Sequence, residues 1–522
     1  MKPDADLIVI GSGMGGLTVA SLAAQLLGWR VLVLERHWRL GGFTHAFSRK
    51  QWHWDVGLHY VGGLAPGSPS RGFFDWVTGD LPWRMLPDHF EVLHLPQGKL
   101  TLNWRETEQA HALIDRYPHE ASAIYRYFDD LANMRKRFGL ALFAASAPAW
   151  LAAPMRLWTM RERHMATLTT QDYLNQRFKD PGLKLAIACR WADYGAPPAE
   201  SAFGIHAMVL SSYAEGAGRP EGGASAIATN VGRIVRAQGG EVRVNAEVER
   251  IVIENGKAAG VKVRDAQGNA QTLHAPRVVS DAGAHTTCTR LLADAPLPAA
   301  WRNRIEALEP RSSAAVLYLG LTADPSTLGL TGENHWIVGE TALAHAGASV
   351  DEVREGRSPL LFVSTASGES DDAGQRLPTA QVMVPMQADG MQRWSRTQWM
   401  DRGSEYEWMK AEMAAGLLDQ VDKQLPGLKH IVAHSELSTP LTVTSMTGHP
   451  NGAIYGLAAT PQRIREPIGV FTPVPGLLLT GADVCTPGIQ GALMGGVFAT
   501  AALIGPHGMP LLSRALARRQ HS

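Results

Sequence analysis

Residues 11–16 read GSGMGG, and their setting constrains the fold more than any other feature of the chain. A short apolar run, Leu7–Ile10, enters the loop, and an Ala/Leu-rich stretch, Leu17–Leu27, leaves it. A second apolar run, Val31–Leu34, then delivers Glu35, 24 positions after Gly11. Strand, glycine loop, helix, strand and acid in that order describe a βαβ unit that cradles a dinucleotide. Gly11 permits the tight turn, Gly13 lets the backbone approach a diphosphate, and Gly16 lets helix and strand pack closely. Gly15 is counted with them. The N–H groups at the helix start face the anionic linker. Glu35 sits where a carboxylate accepts hydrogen bonds from a ribose hydroxyl, and Arg36 is counted with the same site. The bland alternative is an ordinary βαβ unit with a glycine turn.

Two further stretches extend the site. Gly41 and Gly42 again offer backbone without side chains, as a diphosphate or flavin edge requires. Near the C-terminus, GLLLTGADVCTPGIQGALMGG reads as a buried strand, Gly476–Thr480, followed by Gly481, Asp483 and a small-residue helix starting near Gly491 and Ala492. Such a helix start stabilises negative charge on a second ring system, and Asp483 is placed to bond a polyol chain. A nicotinamide dinucleotide has no need of this second clamp. A flavin dinucleotide does, so the expected cofactor is FAD.

The 522 residues exceed one ordinary domain, and 45% hydrophobic content allows large cores. Lys+Arg and Asp+Glu both number 49, which gives no general attraction to nucleic acid. Cys189, Cys288 and Cys485 are too few and too scattered for a disulfide framework or a zinc site, and no other metal-ligand spacing occurs. The first strand begins about six residues in, so a cleavable leader would remove it. A cytoplasmic location is expected, with contact at the inner face of a membrane as an added reading. That reading comes from 138–155, FGLALFAASAPAWLAAPM, which is followed by Arg156, Arg161 and Arg163. It is broken by Pro148 and Pro154 and reads as a buried helix pair or substrate-tunnel wall, or as a helix at the headgroup boundary, with a membrane span the least favoured reading.

The expected fold class is α/β. A Rossmann-type FAD-binding domain, three-layered with a parallel sheet plus a β meander, is joined to an interleaved α+β substrate domain. The loop, the meander over Val248–Ile253, Ala258–Val263 and Thr272–His274, and the closing strand and helix must surround one dinucleotide. The FAD-binding domain therefore takes 1–75, 215–290 and 440–522, and the substrate-binding domain 76–214 and 291–439. Residues 76–214 read as mainly helical, with helices over Glu108–Arg137, Thr170–Phe178 and Lys184–Trp191. The second substrate segment alternates β pieces with a helix near Glu405–Gln424.

Together, Gly11–Gly16, Glu35, Gly41–Gly42, the Pro220–Gly223 turn, the Val248 strand and the Thr480–Asp483 segment resemble the FAD-dependent phytoene desaturase family. HWDVGLHYVGG, NGAIYGLAATPQR and GALMGG resemble its retinol saturase and carotenoid isomerase-like branch. The resemblance implies that Glu35 holds the adenosine ribose and that Gly11, Gly13 and Gly16 face the diphosphate. It also implies that Val248 pairs with the adenine through its backbone, and that Asp483 binds the ribityl–diphosphate region. Gly491 and Ala492 would lie at the flavin pyrimidine edge. The implied activity is hydride transfer at flavin N5 to or from a carbon–carbon double bond of a lipid-soluble polyene, with saturation favoured over desaturation.

His59 and Tyr60 are the candidate catalytic groups, able to donate a proton opposite the hydride; the alternative is that both are structural. Asp55 is expected to fix its local turn; Glu215 and Arg219 border the glycine turn and read either as groups near the flavin or, the expectation here, as solvated loop charges. No covalent attachment signature is present, so FAD is expected to be non-covalent. No second nucleotide unit is evident, which leaves the electron donor or acceptor unidentified. The other readings are a polyene cis–trans isomerase, an oxidoreductase of unsaturated acyl lipids, a flavin-stabilised lipid-binding protein and, on fold grounds, an amine oxidase.

Overall fold

The computed structural model describes residues 3–521 apart from 147–152, 156, 158 and 372–373. Strands Leu7–Ile10 and Val31–Leu34 are buried along their whole length, which explains why they read as unbroken apolar runs. They are the centre of a five-stranded parallel sheet ordered Glu241–Arg243, Val31–Leu34, Leu7–Ile10, Val278–Ser280, Leu477–Leu479. Leu7 and Val9 face a helical layer formed by Met14–Leu27, Ser225–Ala237 and Ile489–Ile504. A Cβ on Gly496 would collide with Thr18, so the small residues of the last helix let it close onto the first. Ile8 and Ile10 face the other way, onto Val248, Ile251 and Val261 of an antiparallel meander. That meander runs Glu247–Glu254, Lys257–Arg264, Ala270–His274. Helices, parallel sheet and meander form the Rossmann-type three-layer arrangement that the glycine loop required.

A second, seven-stranded sheet is ordered Val432–Ser438, Ser313–Leu321, Thr379–Met386, Leu360–Ala366, Asn334–Val338, His89–Leu95, Gly98–Asn103. Its pairs are antiparallel except Asn334–Val338 with His89–Leu95. Helix Ser404–Gln424 covers one face through Met409, Met413 and Leu417. Helical segments between 106 and 213 cover the other, around Trp336 and Phe362.

Three readings need correction. The span 76–214 is not mainly helical at its start: Trp83–Met85 is a strand, and the hairpin His89–Leu95/Gly98–Asn103 completes the large sheet. Its alternating pattern around a Pro96–Gln97 turn carried the signal. Glu108–Arg137 is two helices, Glu106–Arg116 and Ala121–Asn133, because Pro118 supplies no N–H to continue the first. The C-terminal helix starts at Ile489, two residues before Gly491. Of 138–155, a helix over Gly139–Ala145 is described, while 147–152, with Trp150 and Leu151, and Arg156 lie outside the described residues. Among the described residues no single helix is long and apolar enough to cross a membrane.

Candidate active site

The parallel strands end at one edge, and the loops that follow them enclose a cavity of about 300 Å³. Gly11, Gly13, Gly15, Glu35, Arg36, Gly41, Gly42, Val248, Asp483 and Ala492 all line it. Gly16 and Gly481 stand behind its wall and serve packing, while Gly491 is absent from this wall and lines a smaller adjoining pocket. A Cβ on Gly16 would strike the Gly11 carbonyl, one on Gly481 the Asp281 carboxyl, and one on Gly491 the Thr486 carbonyl. Gly11 has φ +91°, a conformation that L side chains rarely adopt.

Glu35 is buried, and its carboxylate accepts from Ser12 N–H at 3.0 Å, Ser12 Oγ at 2.6 Å and His37 N–H at 2.8 Å. The Ser12 hydroxyl also accepts from Gly41 N–H at 2.9 Å, which ties the second glycine pair to the first loop. Arg36 lies 3.8 Å from Glu247, and its buried Nη1 has no protein partner among the described residues. Asp483 accepts from the N–H groups of Ala284 and Leu457, each at 2.7 Å. It thereby joins three distant segments at the cavity wall.

Asp281 was missed. It follows strand Val278–Ser280, and its carboxyl lies among the glycines: a Cβ on Gly13 would sit 2.6 Å from its Oδ2. Burial pushes Asp281 up to about 8, helped by Glu35 and Asp483 and opposed by the N–H groups of Gly16 and Gly13. The ribose acid, the side-chain-free cradle, the orphaned Arg36 nitrogen and a helix start at the far end fit a long, anionic dinucleotide. A protonated Asp281 is compatible with a diphosphate beside it.

A smaller pocket of about 100 Å³ continues from this cavity, sharing Gly57, His59, Met383, Tyr455, Gly488 and Ile489 with it. His59 is therefore at the junction. Neither of its ring nitrogens has a protein partner among the described residues, and burial, with Arg219 nearby, lowers it to about 3. It is a neutral imidazole. Tyr60 lines the smaller pocket, and its hydroxyl donates to Glu91 Oε1 at 2.9 Å, with Asp193 Oδ2 at 3.2 Å. Burial and then the two carboxyls push Tyr60 well above the ordinary phenol range.

Glu91, Arg190 and Asp193 were not foreseen. Arg190 Nη1 donates to Glu91 Oε2 at 2.8 Å, and Trp336 Nε1 donates to Oε1 at 3.1 Å. Glu91 sits on the overlooked hairpin, so no local spacing linked it to residues about a hundred positions away. Arg219 is not a solvated loop charge. Its guanidinium donates to the carbonyls of His59 at 2.6 Å and Thr365 at 2.9 Å, and to Ser364 Oγ at 2.9 Å. Glu215 pairs with Arg135 at 3.6 Å. Asp55 accepts the N–H of Ala224 at 2.9 Å, and so holds the distant turn before helix Ser225–Ala237.

Residues 9–76 match the model of the NAD(P)-binding Rossmann-like domain. The chain is 29% identical to an all-trans-retinol 13,14-reductase of Danio rerio over 94% of this chain and 84% of that protein. It is 26% identical to a chloroplastic prolycopene isomerase of Daucus carota, over 94% of this chain and 77% of that protein. Among solved structures, a putrescine oxidase superimposes with a TM-score of 0.64 at 16% identity, covering 98% of this chain and 99% of the other. At that identity the likeness speaks for the fold alone. The segment whose strands open onto the cavity thus matches a Rossmann-like domain, and the chain is similar, along nearly its whole length, to all-trans-retinol 13,14-reductases and prolycopene isomerases.

Proposed function

We propose that this protein is an FAD-dependent oxidoreductase that saturates a carbon–carbon double bond of a lipid-soluble polyene of retinoid or carotenoid type. The observation that carries the reading is the continuous pair of cavities. A dinucleotide cradle runs from Glu35 to Ala492, and it meets a small pocket of aromatic rings and buried acid at His59. Glu35 would hold the adenosine ribose, the loop 11–16 the diphosphate, Val248 the adenine and Asp483 the ribityl region. Gly488–Ala492 would stand at the ring. When bound, the flavin supplies the hydride from N5. Trp336, Phe362, Tyr213 and Met383 keep the pocket dry and orient a flat, apolar chain.

On this reading 1–75, 215–290 and 440–522 form the FAD-binding domain, and 76–214 with 291–439 the substrate-binding domain. The relation to prolycopene isomerases supports a second reading, cis–trans isomerisation at the same ring. Acid precipitation should release all the yellow colour as FAD, since the binding is non-covalent; colour retained in the pellet contradicts that. Anaerobic photoreduction followed by all-trans-retinol or a carotenoid separates the two activities. Stoichiometric flavin reoxidation supports saturation. A product of unchanged mass supports isomerisation, and a bound but unaltered polyene defeats both.

A further inference from the structure

The saturation reading leaves open which group gives the second hydrogen. Five ionisable side chains line the small pocket, His59, Tyr60, Asp193, Tyr213 and Tyr455, and burial pushes Tyr455 well above the ordinary phenol range. His59 is lowered to about 3, so it holds no acidic imidazolium proton at neutral pH. The Tyr60 hydroxyl is shared between Glu91 and Asp193, and burial keeps Tyr60 and Tyr213 from ionising. Glu91 itself is fully buried and accepts from Arg190, Tyr60 and Trp336, and it does not line the pocket.

Asp193 differs from all of these. It stands at the end of the turn Cys189–Asp193, and the pocket wall includes it. The adjacent cation, Arg190, is engaged by Glu91, and no ion pair reaches Asp193 among the described residues. Tyr60 Oη lies 3.2 Å from its Oδ2 and 3.4 Å from its Oδ1.

We propose that Asp193 is the proton donor of this pocket, giving its carboxyl proton to the substrate carbon beside the one that receives the hydride. The inference rests on the saturation reading. When bound, reduced flavin would supply a hydride, two electrons and one hydrogen, to one carbon of the double bond. The neighbouring carbon takes the proton as the Asp193 O–H bond breaks and a C–H bond forms. The resulting carboxylate is met by the Tyr60 and Tyr213 hydroxyls and is reloaded from solvent between turnovers. Burial first, then the Glu91 charge, pushes Asp193 up to about 8, against Arg190 and the hydrogen bonds of Tyr60 and Tyr213. Tyr455, across the pocket, is the remaining ionisable group that faces it. The donor is therefore loaded at neutral pH and empties as the pH rises through about 8.

Two readouts test this, one independent of turnover. Infrared difference titration of the FAD-loaded protein should reveal the C=O stretch of a protonated carboxylic acid at pH 7 that disappears through about pH 8. Because Asp281 contributes a second such component, Asp193→Asn should lose only the Asp193 part of the signal and Asp193→Glu should restore it. In rapid mixing of photoreduced protein with all-trans-retinol, Asp193→Asn should slow flavin reoxidation by about 10²–10⁴-fold with FAD content unchanged. The wild-type rate should fall about tenfold per pH unit above about 8, which needs no substitution. A flat wild-type profile, or a protonated-carboxyl signal undiminished by Asp193→Asn, overturns the proposal. If wild type and Asp193→Asn transfer equally, only the donor role fails. If the wild type transfers to no polyene, the saturation reading fails and takes the donor role with it.

Discussion

Asp281, in the glycine cradle, and Asp193, in the aromatic pocket, are both pushed up to about 8 by burial, yet their surroundings differ in kind. Around Asp281 the groups that bond it are backbone N–H of Gly13 and Gly16, with no space for a Cβ on Gly13 or Gly15, and the Glu35 and Asp483 side chains only reinforce its upward shift. Around Asp193 the counterparts are side chains, Glu91, Arg190, Tyr60 and Tyr213, contributed by four separate segments. A site made of backbone recognises a shape and an anion, and it tolerates few changes. A site made of side chains sets proton positions, and single substitutions retune it without moving the chain. Holding the dinucleotide and delivering the proton are thereby assigned to different parts of one continuous cavity.

The largest expected effect separates the two regions by stability. Arg190→Met leaves Glu91 buried without its cation and should cost about 3–5 kcal/mol in denaturant unfolding. Arg36→Met, at the part-exposed pair with Glu247, should cost under about 1 kcal/mol. Equal losses would erase the distinction between a pocket built on buried charge and a cradle built on backbone.

Cofactor affinity should show the reverse ranking. On the proposed function Glu35 holds the ribose through a charge-assisted bond, so Glu35→Ala should weaken FAD binding by about 1.5–3 kcal/mol in calorimetric titration. Unchanged affinity would take Glu35 out of the site.

Proton linkage sharpens the same contrast. Ionised Asp281 would oppose a diphosphate, so FAD affinity should fall as the pH rises through about 8, and Asp281→Asn should flatten that fall. The sign for folding runs the same way. The folded-state value lies above the ordinary aspartate value of 3.8, so the folded state binds the extra proton between about 4 and about 8. Stability from this group is full at the acid end of that window and is lost toward the alkaline end. Thermal melting of Asp281→Asn should lack that component, and matching pH profiles for the two proteins would contradict it.

The smallest effect concerns access. Leu157 and Met160 are 74% and 66% exposed beside the stretch 138–155. Leu157→Glu with Met160→Glu should reduce flotation with anionic vesicles while FAD content stays constant. Flotation equal to wild type would remove these residues from any membrane contact.

How much was legible in the sequence follows the same divide. The glycine loop, Glu35, Gly41–Gly42 and the Asp483 segment lie within short stretches whose spacing reports geometry directly. Asp281 was within reach, since it directly follows the apolar strand Val278–Ser280. What was hidden is that this strand ends against the glycine loop, which requires knowing that it pairs in parallel with Leu7–Ile10. Tyr60 was singled out, but its partners Glu91 and Asp193 are tertiary neighbours. One of them sits on a hairpin that read as part of a helical region. Arg219 was misjudged for the same reason: its acceptors Thr365 and Ser364 come from a strand about 145 residues away.

The central claim is that one FAD molecule spans the long cavity and brings its ring to the His59 junction, between helix start Ile489 and the Asp193 pocket. A crystal structure of the protein grown with FAD tests it most directly. The adenine end should lie by Glu35 and Val248, and the ring should lie against Gly488–Ala492, with one face open to Tyr60 and Asp193. A ring lodged elsewhere, or a Tyr455 side chain sealing the small pocket from it, would contradict the claim.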